Sequence, residues 1–138
     1  MLERHTIMQK IKAAYDARQC SDKVAMAAFF APGATYRMVG KSHLLGGMAV
    51  GPVDAVAAIG GLIDQFAFPE LRHIDLLIDG HRAAVHLAVR AVATASGEEV
   101  DTELLDLWTF DDAGQVTDIT EFADTAQVSA MLPGARRG

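Results

Sequence analysis

The 138-residue chain carries 12 Lys and Arg against 18 Asp and Glu, a formal net charge of −6, and is 51% hydrophobic and 22% charged. That length fits a single domain with one core, and the acidic balance supplies no basic surface for a phosphate backbone, so nucleic acid is not an expected partner. No apolar run reaches the roughly 18 residues of a membrane span, the start MLERHTIMQK lacks the apolar centre of a secretion signal, and Cys20, the only cysteine, excludes an internal disulfide and a multi-cysteine zinc site; the expectation is a cytoplasmic protein with no membrane partner.

Ile7, Met8, Ile11, Ala14 and Tyr15 recur at spacings of three and four, which predicts an amphipathic helix over residues 3–18 with Tyr15 at the edge of its buried stripe. Ser21 or Asp22 can cap a second short helix that runs to Phe29 or Phe30 and stops at Pro32-Gly33. A short strand follows over 34–39, then a glycine-rich loop over 40–51 holding Lys41 and His43. Gly51-Pro52-Val53-Asp54 opens a third helix with Val53, Val56, Ala57, Gly60, Ile63 and Phe66 as its packing stripe, ended by Phe68-Pro69.

From Leu71 the period falls to two: a strand from His73 to Ile78, an Asp79-Gly80 turn, and a long strand from about His81 to Thr94. After Ser96-Gly97 comes a strand that sets Thr102, Leu104, Asp106, Trp108 and Phe110 on one face, with Glu103, Leu105, Leu107 and Thr109 on the other. Asp111-Asp112-Ala113-Gly114 is turn chemistry. The strand beyond it sets Ile119, Glu121 and Ala123 on one face and Val116, Asp118, Thr120 and Phe122 on the other. A helical turn over 125–132 closes a domain of residues 1–132, and 133–138 reads as a frayed tail.

This order predicts an α+β fold: one curved antiparallel sheet wrapped around N-terminal helices, leaving a cone-shaped pocket. On the long strand His86, Ala88, Arg90, Val92 and Thr94 alternate with Val85, Leu87, Val89, Ala91 and Ala93. The second, wholly apolar set, together with Leu105 and Leu107, is expected to form a sheet-to-sheet homodimer face, which turns His86 and Arg90 into the cone. Asp106 between Leu104 and Trp108 is expected to be a desolvated carboxyl able to keep its proton; paired with Arg90 it would instead be an ordinary carboxylate. Tyr36, Met38, Trp108, Ile119 and Phe122 suit the walls of an apolar pocket. His5, His43 and His81 fall where solvated positions are expected, and no histidine spacing or compact acid cluster suggests a metal.

Ala28-Phe29-Phe30-Ala31-Pro32-Gly33-Ala34-Thr35, Asp106-Leu107-Trp108-Thr109-Phe110, Asp112-Ala113-Gly114-Gln115-Val116 and Glu121-Phe122-Ala123-Asp124 resemble the nuclear-transport-factor-2-like (cystatin-like) superfamily over roughly residues 5–124, in its ketosteroid-isomerase-like and SnoaL-like polyketide-cyclase branches. The resemblance implies that Tyr15 and Asp106 match the pair that holds a dienolate oxygen in steroid isomerases. The isomerase base position falls on Met38, which cannot take a proton, while Glu121 matches the catalytic carboxylate of SnoaL-like cyclases and one acid of limonene-epoxide-hydrolase-like enzymes. Those hydrolases also use an Arg-x-Asp, where this chain has Arg90-Ala91-Val92. His73 resembles the histidine of scytalone-dehydratase-like relatives, with Asp16 and Asp22 out of register as its acid partner.

The expected function is cofactor-free proton transfer, an isomerisation, cyclisation or dehydration, on a small, mostly apolar ketone or enol-forming ligand. Tyr15, Asp106, Glu121 and His86 are the expected catalytic residues, and Tyr36, Met38, His73, Arg90, Trp108, Ile119 and Phe122 the expected ligand contacts. The alternative is a non-catalytic ligand-binding or dimerisation module of the same fold.

Overall fold

A computed structural model describes residues 2–40 and 53–131. The loop expected beyond Gly40 with Lys41 and His43, the Gly51-Pro52 helix start, Leu132 and the tail at 133–138 lie outside the described residues. The chain runs α1 (Arg4–Gln19), α2 (Lys23–Ala27), β1 (Phe30–Met38), β2 (Val53–Asp54), α3 (Ala55–Gln65), β3 (Phe66–Asp79), β4 (Arg82–Ala93), β5 (Glu99–Phe110), β6 (Val116–Ala123) and α4 (Thr125–Met131). Among the described residues six strands form one curved, unclosed sheet in the order β2-β1-β6-β5-β4-β3. The α+β fold expected from the sequence is the fold observed.

α1 buries Ile7, Ile11, Ala14 and Tyr15 as its spacing predicts, and adds Ala17 and Arg18. Both ends are strapped to β3: Arg4 donates to the Ile78 carbonyl at 3.1 Å and Gln19 to the Pro69 carbonyl at 3.1 Å. Asp22 caps α2 by accepting from the Ala25 N–H at 3.0 Å, and Asp54 caps α3 by accepting from Ala57 at 2.9 Å, each satisfying an N–H that the first helical turn leaves unpaired.

Several boundaries and faces differ from the sequence expectation. β1 starts at Phe30 and runs parallel to β6, with a register shift between Phe30 and Thr35 that absorbs Pro32-Gly33. β3 begins at Phe66 and passes through Phe68-Pro69, where the pairing with β4 slips between Ala67 and Glu70 because proline has no N–H to give the ladder. Ile63 and Phe66 are buried as the expected stripe requires, but earlier in α3 the buried positions are Ala55 and Ile59, which leaves Val56 45% exposed. A slip between Thr109 and Phe110 turns Val116 inward, where it is buried.

The main correction concerns β4. Val85, Leu87, Val89, Ala91 and Ala93 are the core face, buried under the helices, and cannot be the expected dimer face. Leu87 is registered with Leu104, and Val85 with Asp106, so the inner surfaces of β4 and β5 are continuous. His86 and Arg90 point away from the core: His86 pairs with Glu103 at 2.6 Å, and Arg90 with Asp101 at 3.3 Å and Glu70 at 3.8 Å. The physical reason is a comparison of burials. Five aliphatic side chains each gain up to about 1.5–3 kcal/mol on leaving water, whereas enclosing His86 and Arg90 would desolvate charges that solvated acids satisfy outside.

Leu87 has 0% exposure. Leu87→Ala is expected to lower stability by about 2–5 kcal/mol equally at low and high protein concentration, checked by urea denaturation; a residue in a dimer face would give a concentration-dependent loss.

Candidate active site

The inner face of the sheet is largely apolar, and its two cavity-lining acids lie where β5 and β6 meet. Asp106 on β5 and Glu121 on β6 are registered partners across that antiparallel pair, and Met38 on β1 is the registered neighbour of Glu121 on its other side. α1 adds Tyr15 and β1 adds Tyr36. These side chains, with Trp108, Ile119 and the apolar residues around them, line a cavity of about 80 Å³, room for several water-sized groups. α4 covers part of it with Gln127, Val128 and Met131, held by a hydrogen bond from Thr102 Oγ1 to Gln127 Oε1 at 2.5 Å.

The polar groups form a directed chain. Trp108 Nε1 donates to the Tyr15 hydroxyl at 2.9 Å, and the Tyr15 hydroxyl donates to Asp106 Oδ2 at 2.5 Å. Tyr36 donates to Glu121 Oε1 at 2.6 Å. Asp106 Oδ1 is buried and receives no hydrogen bond from the described residues. The group opposite it is the Glu121 carboxyl, which is an acceptor. A proton on Asp106 resolves this, because Asp106 then donates to Glu121.

The electrostatics favour that protonation. Burial holds the Asp106 carboxyl well above its ordinary pKa, reinforced by the charge of Glu121 and the hydrogen bond to it, and opposed by Tyr15 and Arg18. Burial likewise raises the Tyr15 hydroxyl, with Asp106 adding to it, and the Tyr36 hydroxyl, with Glu121 adding to it. Two carboxyls thus face one cavity in different roles, Asp106 as donor and Glu121 as the acceptor on which Asp106 and Tyr36 converge.

Arg18, one turn beyond Tyr15, is a cavity residue that the sequence analysis missed. It is 7% exposed, its guanidinium lies 3.9 Å over the Phe68 ring, and Nη2 donates to the Phe66 carbonyl at 2.8 Å. Burial lowers its pKa to about 10, against the opposing pull of Glu121, so it stays cationic at neutral pH. Its spacing of three from Tyr15, four from Ala14 and seven from Ile11 was the available signal; a helix-end arginine is ordinarily assigned to solvent.

Of the other expected site residues, Tyr36, Met38, Trp108 and Ile119 line the cavity with Tyr15, Asp106 and Glu121. His86 and Arg90 lie on the outer face of the sheet, as does Phe122, which is 40% exposed; strand alternation that points Glu121 inward must point Phe122 outward. His73 is placed beside Tyr15, its ring edge-on at 5.4 Å between centroids, but does not line the cavity. Partial burial and Lys12 lower its pKa. No group of His, Cys, Asp or Glu that could hold a metal ion occurs among the described residues, and none of their helices is long and apolar enough to cross a membrane.

A curved six-stranded sheet closing over helices around such a cavity defines the nuclear-transport-factor-2-like fold. Within it the chain belongs to the SnoaL-like domain family, whose model matches residues 11–119. Among solved structures, a candidate SnoaL-like polyketide cyclase from Jannaschia sp. CCS1 is similar at 17% identity over 97% of this chain and 99% of that one, with a TM-score of 0.74. An NTF2-like protein of unknown function from Burkholderia pseudomallei K96243 shares 19% identity over 94% and 98% of the two chains, with a TM-score of 0.73. An epoxide hydrolase of the LEH-like type from M. tuberculosis shares 15% over 93% and 90%, with a TM-score of 0.69. Among curated proteins none matches in sequence. At these identities the likeness is one of fold, and the chemistry must be read from the residues.

A carboxyl whose pKa is higher folded than unfolded binds its proton more tightly in the native state. Its contribution is complete below the unfolded value of about 3.9 and is lost as pH rises through the folded value. Asp106→Asn mimics the protonated acid, its amide N–H₂ replacing the O–H toward Glu121. The variant is therefore expected to gain stability relative to wild type as pH rises above about 4, checked by denaturation across pH; an unchanged difference would mean that Asp106 is ionised in the folded state.

Proposed function

We propose that this protein catalyses cofactor-free proton transfer on a small, largely apolar carbonyl compound, with Glu121 as the base. The observation that carries the reading is the meeting of two carboxyls in one cavity: Asp106 and Glu121 are registered partners, Glu121 accepts from Tyr36, and burial holds the Asp106 carboxyl well above its ordinary pKa. In the proposed step a C–H bond next to the substrate carbonyl breaks, its proton passes to Glu121, and the electron pair moves onto the carbonyl oxygen. As negative charge leaves Glu121 for that oxygen, the Asp106 proton turns from one to the other, with Tyr15 and Trp108 holding Asp106 in place. Return of the proton from Glu121 to a different carbon completes an isomerisation; its delivery to a β-hydroxyl that leaves as water gives a dehydration, and attack of the enolate on a second carbonyl, whose oxygen takes that proton, gives a cyclisation.

Met38 supports this assignment. The resemblance to steroid isomerases puts the base at Met38, and Met38 is the registered neighbour of Glu121 on the adjacent strand. A base moved by one strand still addresses the same cavity.

A second reading, a ligand-binding module without catalysis, is favoured by one observation: in the described structure Tyr15, Asp106, Tyr36 and Trp108 spend their hydrogen bonds on one another and on Glu121. The outer face of the sheet, with Leu77 63% and Phe122 40% exposed, is the surface proposed for self-association; a monomer by sedimentation equilibrium at high protein concentration would remove that proposal.

Deuterium uptake at carbon next to the carbonyl, followed by NMR for cyclic ketones in D₂O, separates the two readings of the cavity without knowledge of the natural substrate. Wild type is expected to catalyse exchange and Glu121→Gln to lower it by about 100–10,000-fold while still binding the ketone. Exchange that Glu121→Gln leaves intact removes Glu121 as base, and ketone binding without exchange in wild type favours the binding module.

A further inference from the structure

Arg18 is buried at the cavity without a carboxylate in ion-pair contact among the described residues, where the ion pairs engage other cations, although the charge of Glu121 acts on it across the cavity. The residues outside the description, Met1, KSHLLGGMAVGP at 41–52 and LPGARRG at 132–138, contain no Asp or Glu side chain. Glu121 shares the cavity with Arg18 but gives its Oε1 to Tyr36.

The guanidinium is half used. Nη2 donates to the Phe66 carbonyl at 2.8 Å and reaches the Leu62 carbonyl at 3.5 Å, which caps the C-terminus of α3, where a cation also meets the negative end of the helix dipole. That structural role requires only one of the two terminal nitrogens. Nη1 is buried with no acceptor among the described residues. The other buried side-chain polar atom without a partner there, Asp106 Oδ1, belongs to a carboxyl that protonation pairs with Glu121, which leaves Arg18 Nη1 as the cavity's unanswered donor. Buried polar groups in native proteins are nearly always paired, and a guanidinium with one nitrogen fixed presents its other donor along a defined direction, suited to an anionic oxygen.

We propose that Arg18 is the anchoring cation for the cavity's ligand, and that the ligand is a small, largely apolar molecule carrying one anionic oxygen, a carboxylate or an acidic enolate. Nη1 holds that oxygen, the Phe68 ring under the guanidinium keeps the cation in place, and the apolar walls take the remainder of the molecule. The ligand's far end then lies toward Asp106 and Glu121. This names the substrate class for the proposed function and rests on it only in taking this cavity as the ligand site.

Benzoate against benzamide and, for a tighter fit, isobutyrate against isobutyramide are pairs that differ in charge at nearly constant shape. By isothermal titration at neutral pH, wild type is expected to bind at least one acid roughly ten times or more tighter than its amide. Arg18→Met is expected to erase the preference and Arg18→Lys to keep part of it; Glu121→Gln is expected to keep or strengthen it. A role confined to capping α3 would lower the melting temperature of Arg18→Met without creating any acid-over-amide preference in wild type, so the wild-type comparison decides the matter even if that variant folds poorly. Equal binding of acid and amide, binding of neither acid, or a preference that survives in Arg18→Met overturns the proposal. Arg18-dependent acid binding with no deuterium exchange on any ketone would leave the anchor standing and remove the base.

Discussion

The burial of one carboxyl, Asp106, between Tyr15 and Glu121, which favours its protonated form, is the constraint around which the site is arranged. An aspartate enclosed by Leu104, Trp108 and the aliphatic face of β4 is destabilised as an anion. It persists because its oxygens have specific partners: Tyr15 donates to one, and the proton on the other faces Glu121. Each partner imposes a structural demand. Tyr15 fixes the rotation of α1 about its axis, Trp108 fixes the Tyr15 hydroxyl, and the β5–β6 register must set Asp106 opposite Glu121. A slip of one residue in that register would turn one of the two acids to the outer face and separate the pair.

The same alternation separates core from solvent across the sheet. Inward positions of β4 are all aliphatic, and the outward ones carry His86 and Arg90 on acids that remain in water. The outer ion pairs are exposed and contribute little to stability, so the sheet is held by its inner face. The cavity interrupts that face: space left between Met38, Ile119 and Trp108 forgoes packing that a filled core would gain. Arg18 adds a second cost, a cation removed from water with a single nitrogen engaged. Costs of this kind concentrate where a protein binds or transforms something, and both fall at one place here.

The polar groups of the cavity also differ in what they can give. Tyr15 and Trp108 are committed within the network and act by positioning. Asp106, Glu121 and Arg18 keep capacity: a proton that can turn, a carboxylate in a largely apolar site, and a donor without an acceptor. A ligand with one anionic and one carbonyl oxygen would use all three, which links the proposed chemistry to the proposed anchor.

The sequence by itself determined the class of fold, most strand positions and the inward placement of Tyr15, Asp106 and Glu121, because these follow from local periodicity: three-and-four spacing for the stripe of α1, and alternation that puts Leu104, Asp106 and Trp108 on one face. It equally implied that β4 has one apolar and one polar face. Only the tertiary structure decided which of them is the core, since a period of two is symmetric and the choice depends on where the helices pack; that choice moved His86 and Arg90 out of the site, whereas Phe122 was already excluded by alternation with Glu121. Tertiary structure alone also turned β1 parallel to β6, bringing Met38 beside Glu121, and brought Arg18 on α1 to the carbonyl end of α3. Those relations join residues 44 or more positions apart in the chain, and no local pattern encodes a contact between segments that meet only when the sheet curves over the helices.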